Sequence, residues 1–223
     1  MTLVLNLPRW RVTESGFIPK LGAYGLRPSA AALRRQLRSA LADSDSRHRR
    51  CYQRLSRALC ESLGIGPAHL AAHRLDHHPE AMWLEAFAET APDRPILLAP
   101  AALFSLRQLI NAASADGVSV NVVSGFRSYA RQTELIRAKL DSGMALQAIL
   151  KISAAPGYSE HHSGCAVDLK EAAEPALEEI FASTQAYAWL CQNASRFGFT
   201  LSYPQGNKQG IAFEPWHWMY AEV

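Results

Sequence analysis

The sequence predicts an α+β fold, a small antiparallel sheet flanked by helices, with an N-terminal helical extension. Three observations lead there. Leucines recur at helical spacing over 28–63 and again from Pro100 to Gly117. Short β-branched or aromatic runs at 118–123, 166–169, 199–203 and 216–220 read as strands. Two polar segments, Ser159–Asp168 and Glu214–Trp218, adjoin the second and the last of these strands.

Taken in order, residues 1–27 are broken by Pro8, Gly16, Pro19, Gly22 and Gly25, which leaves room for loops and a short strand over Leu3–Leu7. From Pro28 the texture becomes helical, with Leu33, Leu37 and Leu41, a break near Asp43–Ser46, then Leu55, Leu59 and Leu63 before Gly64. This pair predicts a scaffold packed on the rest of the chain and shaping one wall of its groove. Residues 67–95 carry His69, His73, His77 and His78, yet show no ordered ligand set, and Asp76–Pro79 reads as a turn, so surface histidines are expected. Pro100 opens the next helix and Gly117 closes it. Ser124–Arg127 turns off the strand at 118–123, and Ser128 is placed to cap a helix from Tyr129 to about Leu140. A short helix over 144–152, a loop at 154–157, a strand at 166–169 and helical texture over 173–196 follow. A strand at Phe199–Tyr203, a turn-rich loop to Gly210 and a final strand at Trp216–Tyr220 complete the chain.

With 223 residues, 48% of them hydrophobic, the chain suits one domain of good size carrying an appendage. The net charge of +3 comes without a long basic stripe interleaved with aromatics, which disfavours nucleic acid as a partner. The cluster Arg47–Arg50 reads as a solvated helix face. Cys51, Cys60, Cys165 and Cys191 form no C-x-x-C pair, so buried thiols in a reducing compartment are expected rather than a thiolate metal site. No stretch is long enough to cross a bilayer. Residues 1–9 lack a basic leader and a long apolar run, which leads to the expectation of a cytoplasmic protein. No PLP, nucleotide or flavin motif is present.

The chemistry lies in the two polar segments. Ser159-Glu160-His161-His162-Ser163-Gly164-Cys165-Ala166-Val167-Asp168 and Glu214-Pro215-Trp216-His217-Trp218 offer imidazoles, a carboxylate able to bind metal, and a further Glu. Three His/Asp ligands with a fourth position left to water is the pattern of a catalytic zinc site. Glu is the usual general base beside such a metal. Gly164 would let the chain fold back so that a histidine of the loop and Asp168 face one ion. Taken residue by residue, Glu214 could instead pair with Arg127, and His217 could be a core histidine between two tryptophans.

Together with Ser124-Gly125-Phe126-Arg127-Ser128-Tyr129-Ala130-Arg131-Gln132, these segments over residues 95–223 resemble the zinc D-alanyl-D-alanine carboxypeptidases of the VanY type. That group lies within the lysostaphin/carboxypeptidase/hedgehog-like metallopeptidases. The resemblance implies a division into an N-terminal helical extension, 1–94, and a catalytic domain, 95–223. It implies that His161 (rather than His162), Asp168 and His217 bind Zn²⁺, and that Glu214 takes a proton from water and passes it to the leaving amine. It implies that Arg127 stabilises the oxyanion, a task that suits a fixed positive fork. Gln132 and Ser159 would contact the peptide and its terminal carboxylate, with Tyr203 as a further contact and Trp216 as a buttress for His217. Two positions depart from the family pattern: Ser202 stands where Arg is frequent, and so does Met219.

The expected function is release of terminal D-alanine from peptidoglycan stem peptides. An L,D-carboxypeptidase, converting tetrapeptide to tripeptide in wall recycling, is favoured over a D,D-enzyme, because cytoplasmic D-Ala-D-Ala ends are needed intact for synthesis. The rivals are an endopeptidase or lysin, marked by an open-ended groove, and a zinc-stabilised binding module, which would need neither Glu214 nor Arg127.

Overall fold

The computed structural model describes residues 48–87, 95–171 and 175–221. The chain divides into two units, 1–42 and 43–223, and every described residue belongs to the second. The expected strand at Leu3–Leu7 and the first half of the helical pair lie outside the described residues.

The described elements begin with helix α1 (48–62) and α2 (Pro67–Ala72), then strands β1 (Glu85–Phe87) and β2 (Ile96–Leu98). Helix α3 (Pro100–Ala115), strand β3 (Asn121–Ser124), and helices α4 (Tyr129–Asp141) and α5 (Leu146–Leu150) follow. A 3₁₀ turn at Glu160–Ser163 leads into β4 (Ala166–Lys170). Helix α6 (Gln185–Asn193) sits between two further 3₁₀ turns, and β5 (Phe199–Leu201) and β6 (His217–Tyr220) end the chain. The central sheet runs β3-β4-β6-β5 with every pairing antiparallel. β1 and β2 form a separate antiparallel ribbon. The α+β prediction holds, and helices flank a small sheet.

Helix α3 buries Ala102, Leu103, Leu106, Leu109 and Ala113, a stripe at i, i+3 and i+4 spacing. That stripe packs with Val167, Leu169 and Trp218 of the sheet and Phe181 and Leu190 beyond it. Each such large side chain contributes about 1.5–3 kcal/mol of hydrophobic stabilisation. The strand expected over 118–123 starts later, at Asn121. The cause is local: the Val118 amide donates to Ala113 O at 2.8 Å to close α3, so the chain there is not available for pairing. Ser128 caps α4 as expected, its hydroxyl accepting from Arg131 N at 3.1 Å. The helical texture over 173–196 resolves into α6 and two 3₁₀ turns.

A second cluster joins Cys60, Leu63 and Ile65 to Ile136 of α4 and Ile149 and Leu150 of α5. Helix α1 therefore packs as expected, but through a different face. Leu55 is 37% exposed and Cys60 only 1%, so the inward stripe is Ser56, Cys60 and Leu63. Small residues are required because the helix meets a loop: Ser56 Oγ donates to Pro156 O at 2.7 Å. Gly157 follows at φ +92°, where a Cβ would stand 2.2 Å from Ser56 Oγ, so both conformation and space demand glycine.

Residues 73–84 run as a strap across the back of the loop that precedes β4. His78 N donates to Gly157 O and Ala81 N to His162 O, each at 2.8 Å. Tyr129 Oη donates to His78 O at 2.7 Å, and Tyr129 N to Glu80 Oε1 at 2.5 Å. None of α1, α2 or the strap lines the cleft over the candidate metal ligands described below. The expectation that the helical pair shapes a groove wall therefore fails for its described half, which supports the site from behind.

Candidate active site

Strand register sets the first two residues. Asp168 and His217 are direct cross-strand partners in β4 and β6, so their side chains project from one face at close range. His161 comes from the 3₁₀ turn that precedes β4. Gly164 ends that turn at φ +70°, and a Cβ there would stand 2.8 Å from Leu84 Cδ2. The expected fold-back at Gly164 thus occurs. His161 Nε2 lies 3.2 Å from Asp168 Oδ2, and His217 Nδ1 3.2 Å from Asp168 Oδ1. Among the described residues, these three form the group of His, Cys, Asp and Glu that could hold a metal, with ligand atoms all within 4.8 Å of one another. Two imidazoles and a carboxylate, each 2–3% exposed, fit zinc and leave a coordination position open.

Each ring is held through its other nitrogen. His161 Nδ1 donates to Gly125 O at 2.7 Å, which presents Nε2 to the site. His217 Nε2 lies 2.9 Å from Glu160 Oε2, which presents Nδ1. Carboxylate and carbonyl partners of this kind orient metal-binding imidazoles and raise their basicity. Glu160 is itself fixed by Ser202 Oγ at 2.6 Å, so the departure at Ser202 takes part in holding the site. Tyr203 packs its ring 4.8 Å from that of His217. Trp216, expected to buttress His217, lines the cleft, as do Tyr203 and His217 themselves. Glu160 and Tyr203 both support the His217 ring.

The electrostatics follow from burial and proximity. Burial would lift the Asp168 carboxyl, but the two histidines outweigh it and hold it well below the usual carboxylate range. Burial would depress His217, yet its bonds to Asp168 and Glu160 raise the ring to about 10. Zinc requires neutral imidazole, so binding expels that proton. Glu214 lies 3.9 Å from His217 Nδ1, and burial pushes its carboxyl up to about 7 against the pull of His217. Such a carboxyl exchanges protons readily near neutrality.

A cleft of about 430 Å³ opens over these groups and is lined by Arg127, Ser159, Tyr203 and Glu214 along with the three candidate ligands. Gln132 is different. It is 1% exposed, its amide nitrogen donates to Ala154 O at 2.7 Å, and its oxygen accepts from Arg127 Nη1 at 3.1 Å. Gln132 therefore lies beneath Arg127 as its holder and does not face the cleft. Arg127 Nη2 stands 3.7 Å from Asp168 Oδ2. Its backbone is tied to both histidines of the loop, Arg127 N donating to His161 O at 3.1 Å and His162 Nδ1 to Arg127 O at 2.6 Å. His162 Nε2 accepts from Gly157 N at 3.1 Å, which assigns its tautomer. Burial keeps that ring neutral, with its pKa pushed down to about 3. His162 is thus a structural residue beside the candidate ligand His161.

The histidines of 67–95 are half-buried rather than on the surface. His69 Nδ1 accepts from Gly66 N at 3.1 Å, and His73 Nδ1 donates to Gln209 O at 3.1 Å. Sequence reading passed over Glu160, although it adjoins His161. It also passed over Lys139 and Ser153, which line the cleft but sit in no motif.

Residues 95–223 match the family VanY, D-alanyl-D-alanine carboxypeptidase. A Bacillus subtilis protein bearing the name of a carboxypeptidase, YodJ, is 36% identical over 123 residues, covering 52% of this chain and 43% of its own. The D-alanyl-D-alanine carboxypeptidase of Enterococcus faecalis covers similarly, so the chain spans less than half the length of these curated relatives, 43% and 46%. Among solved structures, the LdcB LD-carboxypeptidase superposes with TM-score 0.57 at 30% identity, over 63% of this chain and 69% of its own. A vancomycin-resistance D,D-pentapeptidase VanY, solved with Zn(II), gives TM-score 0.56 at 28% identity, over 68% and 86%. The match extends over more than half of the sequence and takes in all three motifs, so the chain belongs to the VanY family of D-alanyl-D-alanine carboxypeptidases.

Proposed function

We propose that this protein is a zinc-dependent carboxypeptidase that releases terminal D-alanine from peptidoglycan stem peptides, with the catalytic machinery in residues 95–223 and residues 1–94 as an appendage. The observation that carries the reading is the convergence of His161, Asp168 and His217 on one point in a cleft that also presents Glu214 and Arg127. Zinc held by the three side chains would supply Lewis-acid polarisation of the scissile carbonyl and a water of lowered pKa. Glu214 takes the proton of the attacking water and delivers it to the leaving amine. Arg127, held by Gln132, sets a fixed fork against the oxygen as its charge grows. Ser159 and Tyr203 position the peptide. Keeping a base and an oxyanion donor together is what separates this reading from a binding module.

Within this reading the L,D-reaction is favoured. Glu179 lines the cleft, and its carboxylate suits the side-chain amine of a penultimate diamino acid. A penultimate D-alanine offers only a methyl group and makes no such pairing with that exposed carboxylate. Tetrapeptides returned from wall turnover would meet the enzyme in the cytoplasm, where pentapeptide ends must survive for synthesis. No helix of the described residues is long and apolar enough to cross a membrane. The test is incubation of the zinc-loaded protein with tetra- and pentapeptide stems, products being identified by mass. Loss of D-alanine from tetrapeptide at the higher kcat/KM is expected. Preference for pentapeptide would transfer the assignment to the D,D-reaction, and internal cleavage would make the protein an endopeptidase.

A further inference from the structure

Helix α4 sets the aim of Arg127. The residue stands just ahead of the helix, which begins at Tyr129, and its backbone is pinned by His161 O and His162 Nδ1. Its guanidinium is held by Gln132, in the first turn of the same helix. The other charged contact, to Asp168 at 3.7 Å, is longer than a hydrogen bond. The direction of the fork is therefore a property of that first turn, and whatever fixes the turn fixes the fork.

The turn has two anchors. One is local: Ser128 Oγ accepts from Arg131 N at 3.1 Å. It leaves the Tyr129 amide, one of the N–H groups that a helix start cannot satisfy internally, to be met from elsewhere. The second anchor comes from the strap, 49 residues away in sequence. Glu80 Oε1 accepts from Tyr129 N at 2.5 Å, a charge-assisted bond at the helix end that favours negative charge. Glu80 is itself held by α1: its Oε2 accepts from Tyr52 Oη at 3.4 Å and its carbonyl oxygen from His48 Nε2 at 3.3 Å. The Tyr129 side chain returns to the same strap by donating to His78 O, so both its backbone and its hydroxyl are moored there. Its ring also packs 4.4 Å from that of His162, whose Nδ1 holds Arg127 O.

Resting on the reading of Arg127 as oxyanion donor above, we infer that Glu80 is a positioning residue for Arg127. From the strap it fixes the first turn of α4, so a side chain outside the matched block of 95–223 aims the fork inside it.

The test reads Arg127 directly and then through turnover. In the full-length, zinc-loaded protein, nitrogen relaxation of the Arg127 Nε–H group should report a rigid guanidinium, and a mobile one in Glu80→Ala. Glu80→Gln keeps an acceptor oxygen without the charge and should restore much of the rigidity. With a stem tetrapeptide, Glu80→Ala should lower kcat about 10-fold, inside the ~10²-fold that a misplacement of about 1 Å can cost, with KM and zinc content unchanged. In an Arg127→Ala background the same substitution should change kcat by less than about twofold, since nothing is left to position. A helix cap that only stabilised the fold would lower kcat equally in both backgrounds. Should Glu80→Ala fail to fold by circular dichroism, Glu80→Gln carries the comparison, with smaller changes in the same direction. The inference is overturned if Arg127 stays rigid in the variants, or if the loss of kcat persists without Arg127. It is equally overturned if zinc is lost along with kcat, because Glu80 would then serve the metal ligands. Should the wild-type protein hydrolyse no stem peptide while Arg127 rigidity still depends on Glu80, the proposed function falls and the positioning stands. Hydrolysis with Arg127 indifferent to Glu80 has the opposite meaning.

Discussion

The two walls of the cleft are built on different principles. The metal wall consists of Asp168 and His217, opposite one another on paired strands, and His161 on a 3₁₀ turn. All three are 2–3% exposed, and both rings are oriented through their second nitrogen. The cationic wall carries Arg127 ahead of helix α4 and Lys139 within it. Its charges sit at the ends of long side chains, each pinned by one neutral partner, Gln132 for Arg127 and Ser153 for Lys139. Backbone pairing fixes the ligand positions before any ion arrives. The cations reach their positions through side-chain torsions and are held there by contacts among side chains, Arg127 by Gln132 and Asp168 and Lys139 by Ser153. Both a metal centre and an oxyanion donor need close placement, and here the first gets it largely from the backbone and the second from side chains.

That contrast orders the experiments. The largest effect should come from the metal wall itself: the double variant His161→Ala, His217→Ala is expected to fall from about one zinc per chain to none and to lose activity altogether. Stoichiometric zinc retained in that variant, by metal analysis, would remove these residues from the ligand set. Next comes the group facing both walls. Glu214→Gln should keep zinc and peptide binding while kcat drops by about 10²–10⁴. A near-normal kcat would mean that another group moves the proton. On the cationic wall, Arg127→Lys preserves charge but not the fork, so kcat should fall by up to about 10² with zinc content intact. If the variant instead lost zinc, Arg127 would belong to the support of the metal wall through its 3.7 Å contact with Asp168. The smallest effect is expected one layer out: Glu160→Ala should weaken zinc by about 10–100-fold in a competitive chelator titration. An unchanged affinity there would show that strand register alone orients His217.

The same contrast explains what was legible beforehand. His161, Gly164 and Asp168 lie within one short segment and Glu214 and His217 within another, because a turn-and-strand unit brings its own ligands together. Lys139 and Ser153 lie 14 residues apart with a helix end and α5 between them, and no local pattern announces that they meet. Gln132 was legible as a residue but not in its task, since only the fold reveals that both ends of its amide face inward. The helices flanked by Pro100 and by Ser128 were read well, because their capping signals act over a few residues. The β1–β2 ribbon escaped notice because three-residue strands are too short to display a period. In α1 the leucine spacing was read correctly as helical, yet Ser56 and Cys60 take the inward positions in place of Leu55 and Leu59, and Leu63 just past the helix is the one expected leucine that is buried. Close approach to Pro156 and Gly157 selects Ser56 and Cys60 over larger neighbours.

The strap over residues 73–84 bears on where a working fragment of this protein can begin. Kinship to the carboxypeptidases starts at residue 95, but the carbonyls of Gly157 and His162 are anchored to amides at His78 and Ala81. Those two carbonyls bracket the turn that carries His161. A fragment cut at 95 would return both of them to solvent and leave the turn tethered through Gly164 O to Ala99 N at 2.8 Å and through His161 and His162 to Gly125 and Arg127. Ancestry and mechanical integrity therefore have different borders in this chain. Residues outside the inherited catalytic block act as its truss, and a fragment designed from kinship alone would keep every reactive side chain while loosening the beam that aligns them.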